Sequence, residues 1–157
     1  MQGVKRGLPY GYSLWEMEVY ATVKETAEYG VVSKNKTATT SGAETEAMAA
    51  ANAFDGDEGT RWSSNFADDA WISVDLGKTY AIDKVVLNWE AAYGKAYKIQ
   101  TSTDGNNWTT VKDLTNQDGG EDTITFNAVN ARYVRMQGVK RGLPYGYSLW
   151  EMQVLTK

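Results

Sequence analysis

The chain has 157 residues and 42% hydrophobic content, enough for one ordinary domain core and a short appendage. It contains neither cysteine nor histidine, which excludes disulfides, thiolate or histidine metal sites, and hydrolysis by a Ser-His-Asp or Cys-His arrangement. The formal net charge of -4 and the pI near 4.9 disfavour nucleic acid and anionic membranes as partners.

One segment of the sequence occurs twice. Residues 1–19 and residues 136–154 are identical except at one position, where the first copy has Glu18 and the second has Gln153. The second copy is a turn-rich stretch followed by alternating apolar residues, which is typical of a loop leading into a closing strand. We therefore predict three parts. Residues 1–20 are the duplicated C-terminal strand of a preceding module, residues 21–30 are a linker, and residues 31–157 are the module proper.

After the linker, short strands and turns alternate. A weak edge strand over residues 36–40 precedes the one helix-favouring stretch, residues 44–54, for which we expect no more than a helical turn. From residue 71 onward, alternating apolar residues are separated by turns rich in Gly, Asp and Asn. The other predicted strands span residues 71–76, 85–89, 97–101, 108–114, 123–126, 132–136 and 147–155. Eight short strands without a βαβ unit predict an all-β fold, an antiparallel β-sandwich.

An acidic loop over residues 53–60 is a candidate cation site. It holds Asp55, Asp57 and Glu58 together with a turn glycine and Thr60. A hard cation such as Ca²⁺ takes about six to eight oxygen ligands from carboxylates and carbonyls. The loop lacks the EF-hand pattern, and Asp-Gly turns are common, so an ordinary acidic turn is an equal alternative from the residues alone.

Six motifs together resemble a known family: AMAAANAFDGDEGTRWSS, WISVDLG, KVVLNWE, YKIQTSTDGNNW, RYVRMQG and YGYSLWEM. Their order and spacing resemble the discoidin (coagulation factor 5/8 type C) family and, within it, the family 32 carbohydrate-binding modules, most of all the tandem modules of bacterial chitosanases and glucanases. The resemblance implies an eight-stranded jelly-roll β-sandwich of the galactose-binding-domain-like type. It also implies a secreted, non-catalytic module, joined in its parent chain to a hydrolase and a tandem sister module. By the same resemblance, a structural Ca²⁺ is expected at Asp55, Asp57, Thr60 and Glu151.

Sugar recognition needs aromatic faces for the C–H patches of the ring and planar charged groups for its hydroxyls. Loop residues of these types, in segments that family 32 modules use for their ligand, are Glu44, Arg61, Phe66, Glu90, Tyr93, Tyr145 and Tyr147. Two of them are carboxylates, and their mutual repulsion is relieved most readily by a cation such as a protonated amine. We therefore predict chitosan or glucosamine oligosaccharides as the ligand.

Several residues have a structural alternative. Arg61 could pair with Asp55 or Asp57. Glu44 could cap the helical turn, and Glu90 could be a solvated rim carboxylate. Among the aromatics, Tyr147 is the candidate best suited to the core. We also assign mainly to the core the tryptophans Trp62, Trp71, Trp89, Trp108 and Trp150.

Other functions remain open alternatives. Neutral sugars of the galactose or N-acetylglucosamine type could be the ligand, and residues 139–143 faintly resemble the basic spike of phospholipid-binding discoidin domains, although the acidic domain weakens that alternative. A glycosidase could use Glu44 and Glu90 as acid and base, but the family is normally non-catalytic. Residues 1–19 could also exchange into a second molecule, because both copies carry the same pairing information.

Overall fold

The computed structural model describes residues 28–157, so the duplicated copy at residues 1–19 and most of the predicted linker lie outside the described part. The strands are β1 Gly30–Val31, β2 Thr37–Thr40, β3 Trp62–Ser63, β4 Trp71–Trp89, β5 Gly94–Ser102, β6 Thr109–Thr115, β7 Glu121–Arg141 and β8 Ser148–Thr156. Two 3₁₀ helices, η1 Glu46–Met48 and η2 Ala50–Phe54, precede β3. Within these residues, no helix is long and apolar enough to cross a membrane.

The sheet is antiparallel throughout and folds back on itself into the two layers of a sandwich. Its strand order is β1-β8-β4-β7-β5-β6, with β2 added beside β4 and β3 beside β8. Early in β4, Ile72 lies opposite Thr40 of β2, whereas later Val85 lies opposite Val154 of β8. Between these two halves the pairing register shifts near Gly77, whose φ is +83°. Such irregularities bend a strand, so β4 passes from one layer to the other.

The predicted all-β, eight-stranded antiparallel class is confirmed, but the strands are divided differently. The predicted strands over residues 71–76 and 85–89 are one continuous strand, β4, and those over residues 123–126 and 132–136 are both part of β7. The two-residue strands β1 and β3 were not predicted, because two residues are too few to show an alternating pattern.

The space between the layers is filled by aromatic and branched side chains. Trp62 and Tyr97 are fully buried, and burial of such a side chain contributes about 1.5–3 kcal/mol or more to stability. Not every tryptophan lies in the core as predicted. Trp62 and Trp89 are buried in the core, whereas Trp71, Trp108 and Trp150 are half-buried. The ring centres of Trp71 and Trp108 lie 5.7 Å and 4.2 Å from the guanidinium carbon of Arg135.

Candidate functional site

A cavity of about 210 Å³ opens where the end of β4, the loop before β3 and the loop between β7 and β8 meet. Its lining consists of Glu44, Arg61, Ser63, Glu90, Ala91, Ala92, Leu143 and Tyr145. Four of the residues predicted from the sequence are therefore brought together from distant parts of the chain. Two carboxylates and one guanidinium leave the wall of this cavity with one net negative charge.

Glu44 is held against the sheet by Ser63. The backbone N–H of Glu44 donates to the Ser63 carbonyl oxygen at 2.8 Å, and the buried Ser63 hydroxyl donates to Glu44 Oε2, also at 2.8 Å. The N-cap of η1 is Thr45, and no side chain caps it, so the interpretation of Glu44 as a helix cap is wrong. One carboxylate oxygen is used by the protein, and the other is left for a ligand.

Arg61 is held by Ser148. Arg61 Nη1 donates to the hydroxyl oxygen of this fully buried serine at 2.8 Å. Within the described part of the chain, Arg61 forms no ion pair with Asp55 or Asp57, so that alternative is not what the structure shows. The remaining N–H groups of the guanidinium are available to hydroxyl oxygens of a ligand.

Glu90 stands at the turn that follows β4. Its Oε2 accepts the backbone N–H of Ala92 at 3.1 Å, and its own backbone N–H donates to the Ser148 carbonyl oxygen at 3.0 Å. The side chain is half-buried, so it is not simply a solvated rim carboxylate. Glu44 and Glu90 thus each use one oxygen locally and can each offer another to a cationic group.

Tyr145 lines the cavity, and the exposed ring of Phe66, which is not one of the lining residues, lies against it. Tyr145 is 60% exposed and Phe66 is 56% exposed, and their ring centroids lie 6.4 Å apart at an interplanar angle of 80°. The loop that carries Tyr145 is held by Arg141, whose Nη1 donates to the carbonyl oxygens of Pro144 and Tyr145. These exposed rings offer apolar faces of the kind that pack against sugar C–H groups.

The predicted ligand contact by Tyr147 is wrong. This side chain is fully buried in the core, and its hydroxyl donates to the Asp68 carbonyl oxygen at 2.6 Å. Burial raises the pKa of Tyr147 far above the ordinary range of a phenol, so it stays neutral. The Tyr147 N–H donates to the Ser64 hydroxyl oxygen at 2.8 Å, and the preceding Gly146 lies so close to the Ser64 carbonyl oxygen that a side chain there would overlap it.

Tyr93, predicted to contact the ligand, is not one of the residues that line the cavity. Its ring packs so closely on Gly142 that a side chain at that position would overlap it, and its carbonyl oxygen accepts the Gly142 N–H at 2.9 Å. Tyr93 therefore supports the loop that carries Tyr145. The basic stretch at residues 139–143 is also partly neutralised, because Arg141 Nε donates to the Asp68 carboxylate at 2.8 Å.

The predicted calcium ligands converge on one loop. Thr60 Oγ1 donates to Asp55 Oδ2 at 2.7 Å, and the Glu151 carboxylate accepts the backbone N–H of Gly56. Asp57 Oδ1 accepts the Gly59 N–H at 2.8 Å. Within residues 28–157 no group of three or more acidic side chains is placed closely enough to hold a metal by itself.

The buried Glu151 is nevertheless a fitting place for a cation. Desolvation raises its pKa above the usual value; the Gly56 N–H and the positive charge of Lys34 lower it in part, and the negative charges of Asp55 and Glu58 raise it. A cation beside this carboxylate would remove that cost, and backbone carbonyls of the loop could complete the oxygen ligands. The donor set therefore fits Ca²⁺ in kind, since Thr60 is bonded to Asp55 and Glu151 is bonded to the backbone of the same loop.

Ser63, Ser148 and Leu143 belong to the site but were not predicted from the sequence. The two serines lie in strands, where a small polar residue gives no signal of its own. Leu143, at 39% exposure, could have been noticed as an apolar residue inside a turn-rich stretch.

The fold and this loop-built cavity define a β-sandwich binding module, and the chain belongs to the F5/8 type C domain family, whose model matches residues 35–152. Among solved structures, it is similar to chitosan-binding module 1 of a chitosanase/glucanase from Paenibacillus sp. IK-5, with 50% identity and a TM-score of 0.77 over 80% of this chain and 98% of that one. It is also similar to chitosan-binding module 2 of that enzyme in complex with chitotriose, with 46% identity and a TM-score of 0.77 over 78% of this chain and 98% of that one. The predicted resemblance is confirmed.

A further relative is the polysaccharide lyase 8 family protein HylA of Enterococcus faecalis, which is 41% identical over 91 residues. The match covers 56% of this chain but only 7% of that protein. The similarity therefore concerns one module of a much longer chain, and it carries nothing about the lyase reaction.

Proposed function

We propose that this module binds chitosan or glucosamine oligosaccharides without acting on them, and that it keeps a parent hydrolase close to its polymer. The observation that carries the proposal is the presence of Glu44 and Glu90 in one cavity beside the exposed ring of Tyr145. The similar modules from Paenibacillus, named as chitosan-binding, support the same ligand class. Action outside the cell follows from that ligand, because chitosan is an extracellular polymer.

The arrangement of donors and acceptors favours an amino sugar over a simple polyamine. The free oxygens of Glu44 and Glu90 accept hydrogen bonds from an ammonium group, whereas the remaining N–H groups of Arg61 donate to hydroxyl oxygens. The face of Tyr145 packs against the C–H groups of a pyranose ring. A protonated amine next to hydroxyl groups satisfies all three interactions, and glucosamine has this chemistry.

The direct test is a calorimetric and NMR titration of the module with trimers of glucosamine and N-acetylglucosamine, and with galactose. We expect the glucosamine trimer to bind most tightly, with chemical shift changes at residues 61–63, 90–92 and 143–145. If the neutral sugars bind more tightly, the two carboxylates do not select for an amine, and the protein is a neutral-sugar-binding module.

The non-catalytic part of the proposal needs its own experiment. The module is incubated with chitosan oligomers, and new reducing ends are measured over time. We expect none. Turnover that disappears on Glu90→Gln substitution would show a glycosidase that uses this carboxylate, and would overturn the proposal.

We also propose a structural Ca²⁺ at the loop of residues 55–60, with Asp55, Asp57, Thr60 and Glu151 as side-chain ligands. It is supported by the buried Glu151 carboxylate, which reaches from β8 to the backbone of this loop. The ion would join the last strand to the loop that precedes β3, and so stabilise the end of the domain that carries Arg61.

A further inference from the structure

We infer that Ser63 and Ser148 position the charged groups of the cavity and thereby set its preference for a cationic sugar. The inference rests on the proposed function. The two serines are directly opposite each other in the pairing of β3 with β8, and their exposures are 2% and 0%. They form one rung of the sheet, in which Ser63 lines the cavity and Ser148 contacts Arg61. A buried hydroxyl needs a hydrogen-bond partner, and both serines find theirs in charged side chains of the site.

One of the two serine hydroxyls donates a hydrogen bond to a charged group, and the other accepts one. Ser63 donates its one hydroxyl proton to Glu44 Oε2, at 2.8 Å, which fixes the direction of the carboxylate. Ser148 accepts a hydrogen bond from Arg61 Nη1, also at 2.8 Å. One rung of the sheet therefore holds an anion on one side and a cation on the other.

Ser148 also fixes the third charged group. Its carbonyl oxygen accepts the Glu90 N–H at 3.0 Å, and its own N–H donates to the Ala92 carbonyl oxygen at 2.8 Å. The turn with Glu90 and the guanidinium of Arg61 are thus attached to the same buried residue, which sets the spacing between them.

Within the described residues, Arg61 forms no ion pair with the two carboxylates that share its cavity. A guanidinium and two carboxylates in a cavity of about 210 Å³ would ordinarily form a bidentate pair, which would remove the negative charge that attracts an amine. Across residues 28–157, however, Arg61 forms no ion pair with Glu44 or Glu90. The Ser148 hydroxyl holds the guanidinium apart from both carboxylates, so their free oxygens stay available for the ligand.

Double-mutant cycles test this, because a positioning role must depend on the group that is positioned. Affinity for the glucosamine trimer is measured for Ser63→Ala, Glu44→Met and the double variant. A parallel cycle uses Ser148→Ala, Arg61→Met and their double variant. Loss of a hydrogen bond to a charged group predicts about a tenfold weaker affinity for each serine variant. We expect Ser63→Ala to cost nothing further in the Glu44→Met background, where no carboxylate is left to position, and Ser148→Ala nothing further in the Arg61→Met background.

Selectivity supplies a readout that a purely structural role would not change. Each serine variant should lose more affinity for the glucosamine trimer than for the N-acetylglucosamine trimer. Additive losses in both cycles, or wild-type affinity in both serine variants, would overturn the inference. If an alanine variant does not fold, as judged by thermal unfolding, cysteine replaces serine, because it keeps the shape and has only a weak donor and acceptor. Absence of glucosamine binding by the wild-type module would instead overturn the proposed function.

Discussion

Replacing Glu90 with Gln tests the charge of the cavity with little change in shape. The Gln carbonyl oxygen can still accept the Ala92 N–H that Glu90 Oε2 accepts at 3.1 Å, so the turn should be kept. The amide N–H₂ then replaces the free carboxylate oxygen, and a donor faces the donor groups of the ammonium. With Glu44 and Arg61 unchanged, the net charge of the cavity wall rises from one negative charge to zero.

The size of the effect follows from the environment. Two unit charges about 4 Å apart attract by about 4 kcal/mol at an effective dielectric constant of about 20. The ligand ammonium loses part of its hydration, and the cavity is open to water, so the net value falls to that of a charged hydrogen bond, about 1.5–3 kcal/mol. Glu90→Gln should therefore weaken binding of the glucosamine trimer by about 10- to 150-fold.

Calorimetry at a pH where the sugar amine is protonated measures this loss. The affinity of the wild-type module should also fall with added salt, and that of Glu90→Gln should fall less, because ions screen the attraction. Asp113→Asn is the matched control. This substitution also removes one carboxylate, but from the 59% exposed side chain of Asp113 in β6. β6 is at one end of the strand order and β1 is at the other, next to β8. Wild-type affinity in Glu90→Gln, or an equal loss in the control, would refute the reasoning.

Three further results are expected. Tyr145→Ala should weaken binding of charged and neutral sugars alike, by about three- to tenfold in calorimetry, because an aromatic contact contributes about 0.5–1.5 kcal/mol beyond its buried area. A loss of affinity confined to charged sugars would argue against stacking. Calcium should raise the Tm of the wild-type module, and a chelator should lower it again, whereas Glu151→Gln should show neither shift; a wild-type Tm indifferent to calcium would contradict the metal proposal. The bidentate hydrogen bond from Arg132 lowers the pKa of Asp75 from 3.8 to about 2. The ionised carboxylate therefore stabilises the fold at pH values above its unfolded pKa, and this stabilisation is lost as the pH falls toward about 2. Arg132→Met should therefore lower the Tm at neutral pH, and its difference from wild type should vanish near pH 2; a difference independent of pH would point to packing instead.

The long strand β4 shows what the local sequence pattern could not predict. The alternation of apolar residues around Ile72 and Val85 identified both segments as strands. Gly77 was interpreted as the end of one strand, but it is a bend within a single strand whose halves pair with different partners. A glycine at positive φ serves either purpose, and only the partners of the strand decide which one applies.

The two tyrosines of the last loop show the same limit for the site. Tyr145 and Tyr147 stand two residues apart in one sequence motif, and both were predicted to contact the ligand. One is 60% exposed, and the other is fully buried. Its place where the loop becomes strand made Tyr147 the better candidate for the core, but its full burial depends on contacts with a distant segment: its N–H donates to the Ser64 hydroxyl oxygen, and its own hydroxyl donates to the Asp68 carbonyl oxygen.

The sequence by itself determined the class of fold, the family and the residue types of the site. Strand periodicity and turn chemistry are local properties, and the six motifs carry the family in their order. Only the tertiary structure decided that Glu44, Arg61 and Glu90 share one cavity, and that Ser63 and Ser148 bond to Glu44 and Arg61. The physical reason is that hydrogen bonds between distant strands have no counterpart in local sequence, so they exist only once the sheet has paired.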